Sequence, residues 1–150
     1  MKKSCYFGVN FKISEDASVY EAITRMAGIN LGCLAVASAQ DGSFVGIVSE
    51  RDYMRKVELQ GLTAKTVKVG QIMTHRARVI VAEQDELPSD LMAKMLSKDI
   101  RHLPVVDDSG GIIGMLSMKD VVREVKDENT ADIDALTNFA LGRGGHFVLD

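Results

Sequence analysis

Cysteine is scarce in this chain. Cys5 and Cys33 are the only two among 150 residues, and no CxxC spacing accompanies either. Two such thiols make neither a disulfide framework nor a zinc site, and the simplest reading is a pair of reduced thiols, with Cys33 buried among Leu31, Leu34 and Val36. A basic excess is also missing: 18 Lys and Arg stand against 21 Asp and Glu, for a net charge of −3. Phosphate-backbone binding leaves a basic stripe, and Arg76, Arg78 and Arg101 are too few to make one, so nucleic acid is not an expected partner. No apolar run approaches the ~18 residues of a spanning helix, so no membrane partner is expected. Met1-Lys2-Lys3-Ser4 is not followed by an apolar signal segment of ~7–15 residues. The expected location is cytoplasmic, or organellar if a transit peptide has been removed. Gly-x-Ser-x-Gly elbows, Walker loops and zinc-ligand spacings are absent, so neither an enzyme nor a catalytic cofactor is expected. His75 and His146 have no acidic or cysteine neighbours at ligand spacing and are read as solvent-facing, with no metal.

What the chain does have is a repeat. Gly46-Ile47-Val48-Ser49-Glu50-Arg51-Asp52 returns as Gly114-Met115-Leu116-Ser117-Met118-Lys119-Asp120. Each copy is a hydrophobic strand that ends in Gly-x-x-Ser-x-x-Asp and opens a helix. With 46% hydrophobic and 26% charged residues, the composition suits one compact unit or two small repeats sharing a core.

The surroundings of the two copies follow one order. In the first, a short strand over 11–13 precedes a turn in which Ser18 or Asp16 caps a helix. Val19, Ala22, Ile23 and Met26 give that helix an apolar face, and Gly28 is the expected stop. Cys33 to Ala37 is a strand, Asp41-Gly42 a hairpin turn, Val45 to Val48 the returning strand, and Asp52 to Val57 the closing helix. In the second, Val79 to Val81 is the lead-in strand. Glu86 or Ser89 caps a helix with Pro88 in its first turn and Leu87, Leu91, Met92, Met95 and Leu96 along it. His102 to Val106 and Ile112 to Leu116 form the hairpin, and Asp120 to Val125 the last helix. Met26, Met92 and Met95 read as core filler. The expected division is repeat one over 11–58, a linker over 59–74, repeat two over 75–126 and a tail over 127–150. That tail carries a short amphipathic stretch (Ile133, Leu136, Phe139, Ala140) ended by Gly142 to Gly145, with Phe139 and Phe147 as docking anchors.

The repeated turn has two chemical readings. Amides at a helix start, Ser49 or Ser117, and the cation Arg51 or Lys119 favour an anion, while Asp52 or Asp120 accepts from a vicinal diol. Together these describe a nucleotide. Ser-x-x-Asp is equally a helix-capping pattern. Its recurrence at a constant offset fits a retained site better, although duplication alone would also copy a cap.

The order strand–helix–strand–turn–strand–SxxD–helix, present twice, resembles the cystathionine-β-synthase (CBS) domain pair, or Bateman module. The matching stretches are ISEDASVYEAITRM and LGCLAVASAQDGSFVGIVSERD, then VAEQDELPSDLMAKM and DIRHLPVVDDSGGIIGMLSMKD, with VKVGQIMT as the linker before the second copy. The resemblance covers residues 11 to 125. It implies an α+β fold of α/β-sandwich type, in which tandem repeats pack with pseudo-twofold symmetry, each a three-stranded sheet flanked by helices. It also implies binding of AMP, ADP or ATP, less often S-adenosylmethionine, in clefts between the repeats.

Carried over by position, one cleft takes Ser49, Arg51, Asp52, Thr74, Val79, Ile100, Arg101 and His102, with Gly32 and Cys33 lining it from repeat one. The other takes Ser117, Lys119 and Asp120 with Tyr6, Phe11, Leu31, Gly32 and Cys33. Thr74 has no hydroxyl counterpart near Tyr6, and Gly32-Cys33 stands where repeat two has Arg101-His102, so the Asp52 cleft is expected to bind better and the Asp120 cleft to be weaker or empty. The implied role is a regulatory sensor that acts on an effector protein or through self-association. A homodimer through Met54, Val57, Val121 and Val122 is expected. The alternative is a constitutive scaffold with vestigial clefts, whose tail over 132–147 docks on an enzyme.

Overall fold

The fold was described from a computed structural model, which covers residues 9–140, with side chains through residue 131 and at residue 134. Cys5, Tyr6, Gly142 to Gly145, His146 and Phe147, and the side chains of Ile133, Leu136, Phe139 and Ala140, lie outside the described residues.

Repeat one opens with β1 (Lys12–Ser14) and α1 (Val19–Ile29). Ser18 caps α1 by accepting from the Glu21 amide at 3.1 Å. Asp16 instead meets the Lys68 ammonium at 2.8 Å. Val19, Ala22 and Met26 are buried on the predicted face. Gly28 does not stop the helix, which ends at Asn30 in the left-handed region with φ 52°. A short polar side chain tolerates that conformation, and the turn lets the Leu31 amide reach the Met26 carbonyl at 3.1 Å. β2 (Cys33–Ala37) and β3 (Phe44–Ser49) follow as an antiparallel hairpin, and α2 (Glu50–Lys56) closes the repeat.

The linker does more than connect. After α3 (Val69–Ile72), the chain forms β4 (Thr74–His75), which pairs antiparallel with β3 through Gly46↔His75 and Ile47↔Thr74. The sheet of repeat one therefore has four strands in the order β1-β2-β3-β4, where three were expected. The fourth straddles the expected boundary, Thr74 from the linker and His75 from repeat two, and Gly46 admits it: a Cβ there would sit 2.3 Å from the Thr74 carbonyl oxygen.

Repeat two has a three-stranded sheet of β5 (Ala82–Glu83), β6 (His102–Val106) and β7 (Ile112–Ser117). The lead-in strand falls at 82–83 and not at the β-branched run 79–81. Parallel pairing of Ala82 with Val105 puts Ala82 in the core, while Lys94 Nζ takes the Val81 carbonyl. In α4 (Pro88–Ser97), Pro88 occupies the first turn as expected, but Leu87 is the N-cap and no side chain caps the helix. Glu86 is diverted to the Glu83 amide and to Lys94, and Ser89 lies inside the helix. The last helix, α5 (Met118–Ala140), runs 23 residues without the expected break near Lys126. No Gly or Pro interrupts it, and polarity alone does not end a helix.

Among the described residues, the interior comprises two apolar clusters. Leu31, Leu34, Val36 and Val48 belong to the first, and Leu91, Met95, Leu103 and Leu116 to the second. Met115, from repeat two, packs in the first cluster, and its sulfur lies 3.7 Å from Cys33 Sγ. Of the residues expected on a dimer face, Val57 and Val121 are buried in the cores, whereas Met54 and Val122 are exposed. Val57 and Val121 are thus unavailable to a partner.

Gly46→Ala is expected to destabilise the protein by about 1–3 kcal/mol, because backbone must give way to the new methyl. Gly28→Ala, in α1 with nothing within 4 Å of the added carbon, is expected to stabilise it by about 0.5–1 kcal/mol. Urea unfolding of the two variants checks the opposite signs.

Candidate functional site

The two hairpins end alike because their registers are alike. Cys33 faces Ser49 across β2 and β3, and His102 faces Ser117 across β6 and β7. Each following helix is tied back to the hairpin by a backbone bond: Glu50 N–H to the Gly32 carbonyl at 3.0 Å, and Met118 N–H to the Arg101 carbonyl at 2.7 Å. Asn30 and Asp99 occupy matching left-handed positions just before β2 and β6.

Capping is present at both turns. Ser49 Oγ accepts from the Asp52 amide at 3.2 Å, while Asp52 Oδ2 accepts from the Ser49 amide and hydroxyl, both at 2.9 Å. At the second turn, Asp120 Oδ2 accepts from the Ser117 amide at 2.9 Å and hydroxyl at 2.7 Å, and Ser117 Oγ from the Asp120 amide at 3.2 Å. Each acid thus gives one oxygen to its own helix start. Asp52 Oδ1 faces Lys56 Nζ at 2.8 Å.

A cleft of about 520 Å³ opens between the repeats beside the first turn. Ser49, Arg51, Asp52, Thr74, Val79, Ile100, Arg101 and His102 all line it, as do Gly32 and Cys33. Leu31, assigned from sequence to the other cleft, borders this one as well. Phe11, Ser117, Lys119 and Asp120 are not on its wall. Phe11 packs against the first core cluster, Ser117 is buried, and Lys119 is exposed. Glu50, Arg78, Ile80 and Asp99 line the cleft without having been singled out from the sequence. Glu50 was legible as the neighbour of Ser49. Asp99 was not, because only its left-handed turn brings it to the cleft mouth.

The wall is mixed in charge. Arg51, Arg78 and Arg101 face Glu50, Asp52 and Asp99, and Arg51 approaches Asp99 across the repeats at 3.9 Å with both side chains exposed. Such a pair contributes little in water, so the guanidinium is free to be drawn to an anion. Val79, Ile80, Ile100 and Leu31 supply an apolar patch. At the back, burial pushes the Cys33 thiol up to about 12, with the fields of Asp52 and Glu50 adding to the effect. The thiol therefore stays protonated and unreactive. Burial, and after it the Arg101 charge, hold His102 below the usual imidazole range, while Glu50 and Asp120 pull the other way. The ring is close-packed: a Cβ on Gly32 would lie 3.1 Å from His102 Cε1.

Among the described residues, no group of three or more His, Cys, Asp or Glu side chains could hold a metal ion, and no helix is long and apolar enough to cross a membrane. His75 is exposed at the end of β4.

Residues 10–59 and 69–127 each match the family model of the CBS domain, and the chain belongs to that family. It is 38% identical over 128 residues to CBS domain-containing protein CBSX3, mitochondrial, of Arabidopsis thaliana, covering 85% of this chain and 62% of that protein. The chain thus spans less than two thirds of that relative. A protein with CBS domains from Burkholderia ambifaria superposes with a TM-score of 0.72 at 37% identity, covering 83% of this chain and 88% of that one. A CBS domain protein of Pyrobaculum aerophilum complexed with AMP gives 0.67 at 25% identity, covering 80% and 85%. The CBS domain pair of protein MJ0100, in complex with 5′-methylthioadenosine and S-adenosyl-L-methionine, gives 0.67 at 27% identity, covering 79% and 89%.

The depressed His102 predicts a pH effect. The unfolded chain takes up this proton near pH ~6.5, and the folded chain only at lower pH, so acid favours unfolding through this group. Stability is expected to fall as the pH drops from about 7 through the unfolded-state value, and the fall to be shallower in His102→Gln, as read from urea midpoints over a pH series.

Proposed function

We propose that the protein is an adenine-nucleotide-binding regulatory module whose principal site is the Asp52 cleft. The observation that carries this reading is convergence: the Ser49–Asp52 turn of one repeat, Thr74 of β4, and Val79 with Arg101-His102 of the other repeat line one cleft. The cleft has the size of a small-ligand site. Its apolar patch suits a purine, Asp52 Oδ1 a ribose hydroxyl, and the three guanidinium groups a phosphate. AMP, ADP and ATP are the candidate ligands, with S-adenosylmethionine as a further one. The AMP-bound and S-adenosylmethionine-bound relatives support that range.

The Asp120 cleft, with Ser117, Lys119, Phe11 and Gly32-Cys33, is the weaker site in this reading. Because the clefts lie between repeats, a bound ligand biases their relative arrangement, and only by its difference in affinity for the two arrangements. The output passes to an effector protein or to self-association. Met54 and Val122 remain exposed and available for a homodimer. The mitochondrial relative supports the organellar alternative to a cytoplasmic location.

One observation favours a second reading. Both acids are already engaged in capping boxes, as they would be in a constitutive interaction scaffold with vestigial clefts. Calorimetric titration with AMP, ADP, ATP and S-adenosylmethionine separates the two. Binding by at least one is expected, weakened at least about tenfold in Asp52→Ala and much less in Asp120→Ala. Silence toward all four in the folded protein selects the scaffold, and loss confined to Asp120→Ala reverses the ranking of the clefts. Light scattering with nucleotide present is expected to give twice the chain mass; a monomer at high concentration rules the dimer out.

A further inference from the structure

Lys56 closes α2, one turn beyond Asp52, and its ammonium makes two contacts at once. It lies 2.8 Å from Asp52 Oδ1 and donates to the Ile72 carbonyl at 2.6 Å. Neither Ser-x-x-Asp turn nor cleft wall contains Lys56, and the capping pattern does not require it. Asp52 Oδ2 is filled by the Ser49 amide and hydroxyl, so an incoming hydroxyl must use Oδ1. A carboxylate offers about four acceptor positions, of which these contacts take three. The ammonium thereby fixes the plane of the carboxylate and leaves the last position on the oxygen it holds.

The second contact reaches the segment that leads into β4. Ile72 ends α3, where a helix carbonyl lacks an internal partner. Two residues later comes Thr74, paired with Ile47 and facing the cleft. A single cation thus joins the acid of the first turn to the segment that carries Thr74. In repeat two the same place is held by Glu124. A carboxylate can donate to neither an acid nor a carbonyl, and it sets a like charge one turn from Asp120. The two turns share a capping box, but only the first has a lysine at this place in its helix.

We propose that Lys56 is a positioning residue for ligand hydroxyls in the Asp52 cleft: it aims Oδ1 of Asp52 and sets that acid against Thr74. This inference rests on the nucleotide reading above. It identifies a determinant of affinity, specific to one of the two clefts, that acts through Asp52 without touching phosphate.

The test is a titration of the full chain and of Lys56→Met and Lys56→Arg with three ligands: AMP, adenosine, and the dideoxyribose analogue of AMP that lacks both ribose hydroxyls. Lys56→Met is expected to weaken AMP and adenosine alike by about tenfold, and the dideoxy analogue by less than about twofold. Lys56→Arg, which keeps the charge and the donors, is expected to recover most of the loss. Equal weakening of AMP and its dideoxy analogue makes Lys56 a merely structural residue and overturns the proposal. Loss confined to AMP assigns it to the phosphate and overturns it too, as does unchanged affinity in both variants. Absence of binding by the unsubstituted chain overturns the nucleotide reading itself. Melting curves of the variants identify any that fail to fold, and the ligand comparison then stands on Lys56→Arg alone, where a small loss with AMP and none with the dideoxy analogue is expected.

Discussion

The missing side chain at Gly46 is the constraint from which the rest of the architecture follows. Without it, the Thr74 carbonyl could not lie against β3, and residues 74–75 would have no strand to join. The linker would then pass the first repeat without becoming part of it. Because it does join, pairing with Ile47 delivers Thr74 to the cleft beside the Ser49–Asp52 turn, and the chain continues along that cleft through Val79 and Ile80. A hydrogen-bonded strand holds Thr74 more rigidly than a free loop would.

Structural and chemical readings of the repeated turn are not rivals at the level of atoms. A carboxylate has two oxygens, and the capping box uses only one. The local helix start consumes Oδ2 in both copies, so each turn is a stable structural unit whatever else happens there. What distinguishes the copies lies outside the motif: the charge one turn further along the helix and the strand laid against the hairpin. A motif comparison alone sees two equal turns, and their surroundings differ.

Much of the fold was legible because its signals are local. Asp41-Gly42 turns the hairpin because Gly42 reaches φ 73° while Asp41 accepts from the Ser43 amide and hydroxyl. Ser18 and Pro88 mark helix starts by their own chemistry. The misreadings came where distant partners decide. Gly28 was the better stop by propensity, but the chain turns at Asn30 so that Leu31 enters the core. The β-branched residues 79–81 read as strand, yet pairing with β6 selected 82–83. Cleft residues numbered in the motif were legible for the same local reason. Arg78, Asp99 and the contact of Lys56 with Ile72 were not, since each depends on the crossing of segments far apart in sequence.

The junction between the repeats has a property of its own. Cys33 of repeat one and Met115 of repeat two meet there sulfur to sulfur, at 3.7 Å. A thioether has long bonds, low torsional barriers and a polarizable surface, so it refills space that a branched side chain would leave empty. A protonated thiol beside it adds no charge to the contact. The seam is therefore closed by two soft, uncharged sulfur groups, so at this point the halves are held by polarizable packing and not by fixed charge.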